Sequence, residues 1–257
     1  MPGMDPKALA PQRWESLRAL IRASGVSRVE DLCQQLKVSA ATVRRDLDEL
    51  ERSGAIRRVH GGAVSVESRL EESVFEDKTA LAVREKRRIA EAALKFIEPE
   101  DTIYLDGGST VLELARLLRE RTNLTVVTNS LYAAHELAGR GPRLLVIGGE
   151  LRRLSQTMVG PLTRLMLEEL HLDKAFMGTI GFGLKEGLTT TDPSEAFTKK
   201  AVMGRARQVI VLADSSKAGK VSFASAGRWE NVHVLITDKP VGFAKGLVNK
   251  GIQIVRA

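Results

Sequence analysis

Several short segments of the chain carry residue types that could hold a small anionic molecule. Asp106-Gly107-Gly108-Ser109-Thr110 follows a strand-like run and enters a helical pattern. Glycines there expose backbone N–H groups, and a helix start adds positive potential, which suits a phosphate. Thr128-Asn129, Gly148-Gly149 and Gly178-Thr179-Ile180-Gly181 end three other strand-like runs. Asp214-Ser215-Ser216-Lys217 pairs a carboxylate with a mobile cation, and Glu195 and Lys199 fall at i and i+4 on one helical face. Each segment has a plain structural alternative. Paired glycines can be only a turn, Glu195–Lys199 only a surface pair of about 0.2–0.5 kcal/mol, Asp214 an N-cap and Lys217 a solvated lysine. Their shared place at strand ends, where open α/β sheets bind ligands, favours a site. Such a site would cradle a phosphate at one end and read hydroxyls with carboxylates at the other.

A second group suits nucleic acid. Ser39 is placed to cap a helix that turns Val43, Leu47 and Leu50 inward. Ala41, Thr42, Arg44 and Arg45 then face outward near its start. Small residues let a helix approach closely, and arginine is shaped for bidentate contact with guanine in the major groove. Arg57, Arg58 and His60 lie on a following hairpin around Gly61-Gly62, within reach of phosphates or the minor groove. The alternative is a solvated face in which these arginines pair with Asp46, Asp48, Glu49 and Glu51.

The elements that must position these residues fall into two patterns. Residues 1–12, with three prolines, read as a flexible tail. Residues 13–66 read as a winged helix-turn-helix. Trp14, Leu17, Leu20 and Ile21 recur at helical spacing before Gly25. Ser27-Arg28-Val29-Glu30 spells a capping box ahead of the stripe Val29, Leu32, Cys33 and Leu36. Strand-like 55–59 and 63–66 complete the hairpin. Residues 67–78 are polar and acidic and read as a linker, the hinge candidate by placement. Residues 79–257 alternate helix and strand, the pattern of a mostly parallel sheet covered on both faces.

Composition narrows the class. The chain has 257 residues, 43% hydrophobic and 28% charged, the range of globular domains rather than disordered or fibrous chains. Its formal charge of +7 divides into +3 over residues 1–70 and +4 over the rest. The argument for nucleic acid therefore rests on where the arginines sit rather than on the total. A lone cysteine, Cys33, excludes an intramolecular disulfide and a cysteine metal cluster. It reads as a small core residue. Apolar runs such as 209–213 fall far short of the ~18–20 residues of a membrane span. The expectation is a soluble cytoplasmic protein with no cofactor, no metal and no membrane partner.

The string Val38-Ser39-Ala40-Ala41-Thr42-Val43-Arg44-Arg45-Asp46-Leu47, followed by Arg58-Val59-His60-Gly61-Gly62-Ala63, resembles the DNA-binding module of DeoR-family regulators. The resemblance continues through Glu85-Lys86, Ile89-Ala90, residues 105–110, Val127-Thr128-Asn129-Ser130, Gly148-Gly149, residues 187–190, Glu195-Ala196 with Lys199, and Asp214-Ser215-Ser216-Lys217. Ala218 stands where the family often has an aromatic, and Lys78 where it often has arginine. The resemblance implies that Thr42, Arg44 and Arg45 read DNA with the hairpin as wing. It also implies a second domain similar to ribose-5-phosphate isomerase and coenzyme A transferase folds, used as a sensor for a phosphorylated sugar or related metabolite.

The expected function is a repressor of a carbohydrate-utilisation operon, a homodimer or homotetramer on double-stranded operator DNA. Its effector is expected at Asp106, Gly107, Gly108, Ser109, Thr110, Thr128, Asn129, Gly148, Gly149, Glu195, Lys199, Asp214 and Lys217. The competing reading is a sugar-phosphate isomerase, since Asp106, Glu195, Asp214 and Lys217 include the acid and base groups such chemistry needs. Similarity of fold does not transfer activity, and an isomerase has no use for a DNA-reading module.

Overall fold

A computed structural model describes residues 10–24, 26–52, 56–59, 62–65 and 75–257. The chain divides into two compact units, Met1–Glu71 and Glu72–Ala257. Of the first, the described elements are α1 (Ala10–Ser24), β1 (Val26–Arg28), α2 (Val29–Leu36), α3 (Ala40–Arg52), β2 (Ile56–Val59) and β3 (Gly62–Ser65). The apolar stripes meet in one core of Leu17, Ile21, Val29, Leu32, Leu36, Val43, Leu47, Leu50, Ile56 and Ala63. Leu47 is fully buried there, and cutting it to alanine removes about 2–5 kcal/mol. The wing is an antiparallel sheet of order β1-β3-β2.

Two expectations change in this unit. Residues 10–12, assigned to the tail, are the first turn of α1, where Pro11 is tolerated because its missing N–H would be unpaired anyway. The capping box at Ser27 is replaced by a strand. Ser27 pairs with Ala63 in β1, and α2 starts after Arg28 with no side-chain cap. Gly25, Ser53, Gly54, His60 and Gly61, together with linker residues 67–74, lie outside the described residues.

In the second unit the linker's last positions, 75–78, form helix α4 (Phe75–Ala80), and α5 (Val83–Ala93) follows. Then come β4 (Thr102–Leu105), α6 (Ser109–Leu117), β5 (Thr125–Thr128), α7 (Leu131–Leu137) and β6 (Arg143–Val146). A hairpin of β7 (Glu150–Arg152) and β8 (Thr157–Val159) leads to α8 (Pro161–Glu168) and β9 (Leu172–Met177). After β10 (Gly181–Gly183) and β11 (Gly187–Thr190) come α9 (Pro193–Arg205), β12 (Ala206–Leu212), β13 (Ala224–Gly227), β14 (Val234–Thr237), α10 (Ala244–Asn249) and β15 (Gln253–Arg256).

Seven strands form a wholly parallel sheet of order β15-β14-β12-β9-β4-β5-β6. One face packs on α5, α6 and α7 through Ile89, Val111, Leu114, Ala133 and Leu137. The other packs on α8, α9 and α10 through Leu167, Ala196, Val202, Met203 and Leu247, with Trp229 buried beside them. From β4 the chain builds outward through β5 and β6, then returns to β4's other side with β9. The strand order therefore reverses between β4 and β9. The loops after those two strands diverge there and leave a crevice.

Candidate DNA-reading surface and ligand cavity

On the first unit, Ser39 caps α3. Its hydroxyl oxygen accepts the Thr42 amide at 3.2 Å and lies 2.9 Å from the Thr42 hydroxyl, while its carbonyl accepts the Val43 amide. The cap fixes where the helix starts, and hence which side chains project from its first turns. Arg44 and Arg45 are exposed and make no ion pair among the described residues. The carboxylates named as alternative partners are used elsewhere. Asp46 is only 4% exposed and accepts Arg13, at 3.0 Å through Nη2, and Trp14 Nε1 at 2.9 Å, tying α3 to α1. Glu49 pairs with Arg52.

Arg58 behaves differently from Arg44 and Arg45. Its guanidinium pairs with Asp48 and lies 3.4 Å from the Arg44 carbonyl, and its backbone amide donates to Glu51 at 2.7 Å. Arg58 thus braces the hairpin against α3, the role the solvated-face alternative gave to the whole group. Arg57 lies in β2 and pairs with Val64.

On the second unit, a cavity of about 210 Å³ opens where the sheet order reverses. Gly107, Gly108, Ser109 and Thr110 line it from the end of β4, and Gly178 and Thr179 from the end of β9. Gly107 has no room for a side chain, since a Cβ would meet Thr157 Cγ2 at 2.1 Å; Gly108 has φ 139°. The backbone therefore enters α6 close to the hairpin and with its first N–H groups unencumbered. Thr110 is 2% exposed and its hydroxyl has no hydrogen-bond partner among the described residues. An unpaired buried hydroxyl costs about 1–3 kcal/mol, which a ligand acceptor would recover.

Charge in the cavity is predominantly positive. Lys78, Lys86, Lys199, Lys217 and Lys220 line it against Glu195 and Asp214. Asp106 lies just behind, accepting Lys199 Nζ and, at 2.9 Å, the Gly178 amide. Lys199 also lies 3.4 Å from Glu195 and donates to the Gly178 carbonyl at 3.2 Å. Burial works against its charge, but Asp106 and Glu195 outweigh that and hold its pKa above the ordinary value. Glu195 is further held 3.4 Å from Arg152.

Lys217 is set apart from this ion pair. Burial pushes its pKa down to about 8, Lys86, Lys78 and Lys199 add to the shift, and Asp214 at 3.9 Å opposes it. Asp214 also loses solvation, yet Lys217, the Ser216 hydroxyl and amide, and Lys86 together hold its pKa below the usual carboxylate range. Lys86 is pulled down by burial and by Lys78, against Asp214 and Glu113. Lysines gathered in this way repel one another, and an anion would relieve the repulsion.

Besides Asp106, four expected effector residues do not line the cavity. Thr128 donates to the Leu105 carbonyl at 2.7 Å and accepts the Ser130 amide at 3.0 Å. Asn129 donates to the Met158 carbonyl at 2.8 Å. Gly148 accepts the Thr163 hydroxyl at 2.8 Å, and a Cβ on Gly149 would lie 2.2 Å from that hydroxyl oxygen. Their polar groups hold β5 and the β7–β8 hairpin in place. Conversely, Phe75, Lys78, Lys86, Ser155, Ser216 and Lys220 line the cavity without having been named as site residues. Lys86 had a readable signal, because it shares the buried stripe of α5 with Ile89, Ala90 and Ala93. A lysine on an apolar face needs a reason.

Comparison with known proteins agrees with this division. Residues 13–69 match the family described as the DeoR-like helix-turn-helix domain, and residues 81–239 the DeoR C terminal sensor domain. The chain is 38% identical to the lactose phosphotransferase system repressor of Streptococcus mutans over 88% of this chain and 91% of that protein. It is 34% identical to the transcriptional regulator IolR of Bacillus subtilis over 89% and 91%. Among solved structures, ribose 5-phosphate isomerase A of Methanocaldococcus jannaschii aligns over 52% of this chain and 54% of that one, with 22% identity and a TM-score of 0.40. The chain belongs to the DeoR family of DNA-binding transcriptional regulators, with a helix-turn-helix domain followed by a sensor domain.

Proposed function

We propose that the chain is a repressor of a carbohydrate-utilisation operon and that a phosphorylated sugar in the cavity controls its grip on operator DNA. The observation that carries the reading is the cavity at the sheet's point of reversal. It joins a helix start, an unsatisfied Thr110 hydroxyl and an excess of lysines. The phosphate would sit at Gly107–Thr110 with Lys217 as counter-ion, and Glu195 and Asp214 would accept sugar hydroxyls. Thr42, Arg44 and Arg45 would meet base edges. Homodimers or homotetramers would place paired helices on repeated or palindromic half-sites.

Regulation rather than isomerisation fits the state of the carboxylates. Asp106 is committed to Lys199 and the Gly178 amide, and Glu195 lies between Lys199 and Arg152. A base held in that way is poor at taking a proton from carbon. The test is a thermal-shift series with pentose and hexose phosphates beside the same sugars without phosphate. At 100 times its dissociation constant a ligand stabilises by ~2.7 kcal/mol, so one or more phosphorylated sugars should raise the melting temperature and their parent sugars should not. Equal response to both forms, or turnover of a sugar phosphate, would overturn the reading.

A further inference from the structure

Lys86 lines the cavity yet is only 4% exposed, and it makes no ion pair among the described residues. Its ammonium donates instead to two backbone carbonyls, those of Lys78 and, at 2.6 Å, Leu81. These lie in the last turn of α4 and just beyond it. The charge therefore sits at the partially negative end of that helix, where cations are favoured. The Lys78 carbonyl also accepts the Leu81 amide at 3.3 Å. The turn into α5 passes through Ala82 at φ 49°, a left-handed conformation that costs a non-glycine residue about 1–2 kcal/mol. Lys86 supplies contacts that hold this turn.

The other end of α4 is anchored too. Phe75 is 2% exposed and its ring stacks on Tyr132, with centroids 4.4 Å apart and planes 14° from parallel. Between the two anchors, Phe75, Lys78, Leu81 and Ala82 form one wall of the cavity. In chain order α4 is the first described element after the DNA-binding unit.

An ammonium has three donors, and α4 and its turn use two of them. We infer that Lys86 is a positioning residue which couples anion occupancy of the cavity to the placement of α4. The inference rests on the reading of the cavity as an anion site. An anion that takes the third N–H holds the ammonium between itself and the two carbonyls, so that occupancy fixes its bonds to the Lys78 and Leu81 carbonyls. By linkage, a well-placed α4 raises affinity for the anion to the same degree. Ligand binding is thereby transmitted to α4, the first described element that follows the DNA-binding unit in chain order.

Amide hydrogen exchange of the full-length chain, with and without inorganic phosphate, tests this. In the wild type, phosphate should protect residues 109–112 and should slow exchange at 76–82 by about fivefold or more, the lower end of ordinary coupling. In Lys86→Met, which should bind phosphate more weakly, phosphate raised to saturation should still protect 109–112 but lose its effect on 76–82. Lys86→Arg, which keeps donors for both carbonyls, should restore it. Wild-type protection of 109–112 without any at 76–82 overturns the coupling while leaving the anion site standing. So does full protection of 76–82 in Lys86→Met. Protection of neither segment in the wild type overturns both.

Discussion

Lys199 of α9 and Asp106 at the end of β4 form an ion pair across 93 positions of sequence, with side chains only 3% and 4% exposed. The pair closes the back of the cavity and joins the two strands between which the sheet order reverses, because Asp106 also accepts the Gly178 amide. Its fit to the site is therefore architectural first. The cations left to meet a ligand are those nearer the opening.

Lys199→Met leaves the Asp106 carboxylate buried with one partner fewer. Removing one member of a buried pair costs about 3–5 kcal/mol. Urea unfolding of the full chain should show the sensor-domain transition shifted by that order, with the helix-turn-helix transition unmoved. A change under 1 kcal/mol would show that the pair contributes little.

Lys217 is the cation that a ligand phosphate should address. Lys217→Met should lower affinity for a sugar phosphate at least tenfold, about 1.4 kcal/mol, and abolish the effector response while leaving operator affinity unchanged. Calorimetric titration together with operator binding checks both. An intact response would move the phosphate elsewhere in the cavity.

The same residue sets a pH dependence. With its pKa near 8, Lys217 is cationic below that pH and neutral above it. A phosphate monoester becomes dianionic above about pH 6. Affinity for a phosphorylated ligand should therefore be greatest between about 6 and 8 and fall as pH rises further. The depressed value has a second consequence. The unfolded chain holds this proton up to about pH 10.4, so the ligand-free folded state gains stability from Lys217 as pH rises from about 8 to that value. Lys217→Met should flatten both effects.

The arginines of the first unit separate by the same logic. Arg44→Ala and Arg45→Ala should each cost about 1–3 kcal/mol at the operator and leave unfolding unchanged, since neither side chain has an ion-pair partner among the described residues. Arg58→Ala should weaken both operator binding and the stability of the unit, because Arg58 holds Asp48 and the Arg44 carbonyl. Fluorescence anisotropy beside thermal melts distinguishes the two classes. Loss of stability in Arg44→Ala would remove it from the readout.

Much of the fold was legible because its signals are local. Val43, Leu47 and Leu50 repeat at helical spacing behind the Ser39 cap, and the apolar runs of β4, β9 and β12 stand between helices. The short strands β1, β7, β8, β10, β11 and β13 were not legible. Each has only three or four residues, too few to show an alternating pattern, and tertiary pairing forms them. The cavity was half legible for a related reason. Residues 106–110 carry the glycine and helix-start signature of an anion loop in their own sequence. Thr128, Asn129, Gly148 and Gly149 carry a similar signature but are directed by the fold into internal bonds. Lys78 and Lys220 show nothing locally, and only the packing of α4 and the loop after Lys217 brings them to the site.

One molecule is expected both to bind DNA and to loosen its hold when a phosphorylated sugar enters the cavity. The direct measurement is operator binding by the purified full-length protein, followed by anisotropy while a sugar phosphate and its parent sugar are titrated in turn. Operator affinity should fall about 5- to 150-fold with the phosphorylated form and hold steady with the parent sugar. A sugar phosphate that stabilises the protein yet leaves operator affinity unchanged would contradict it.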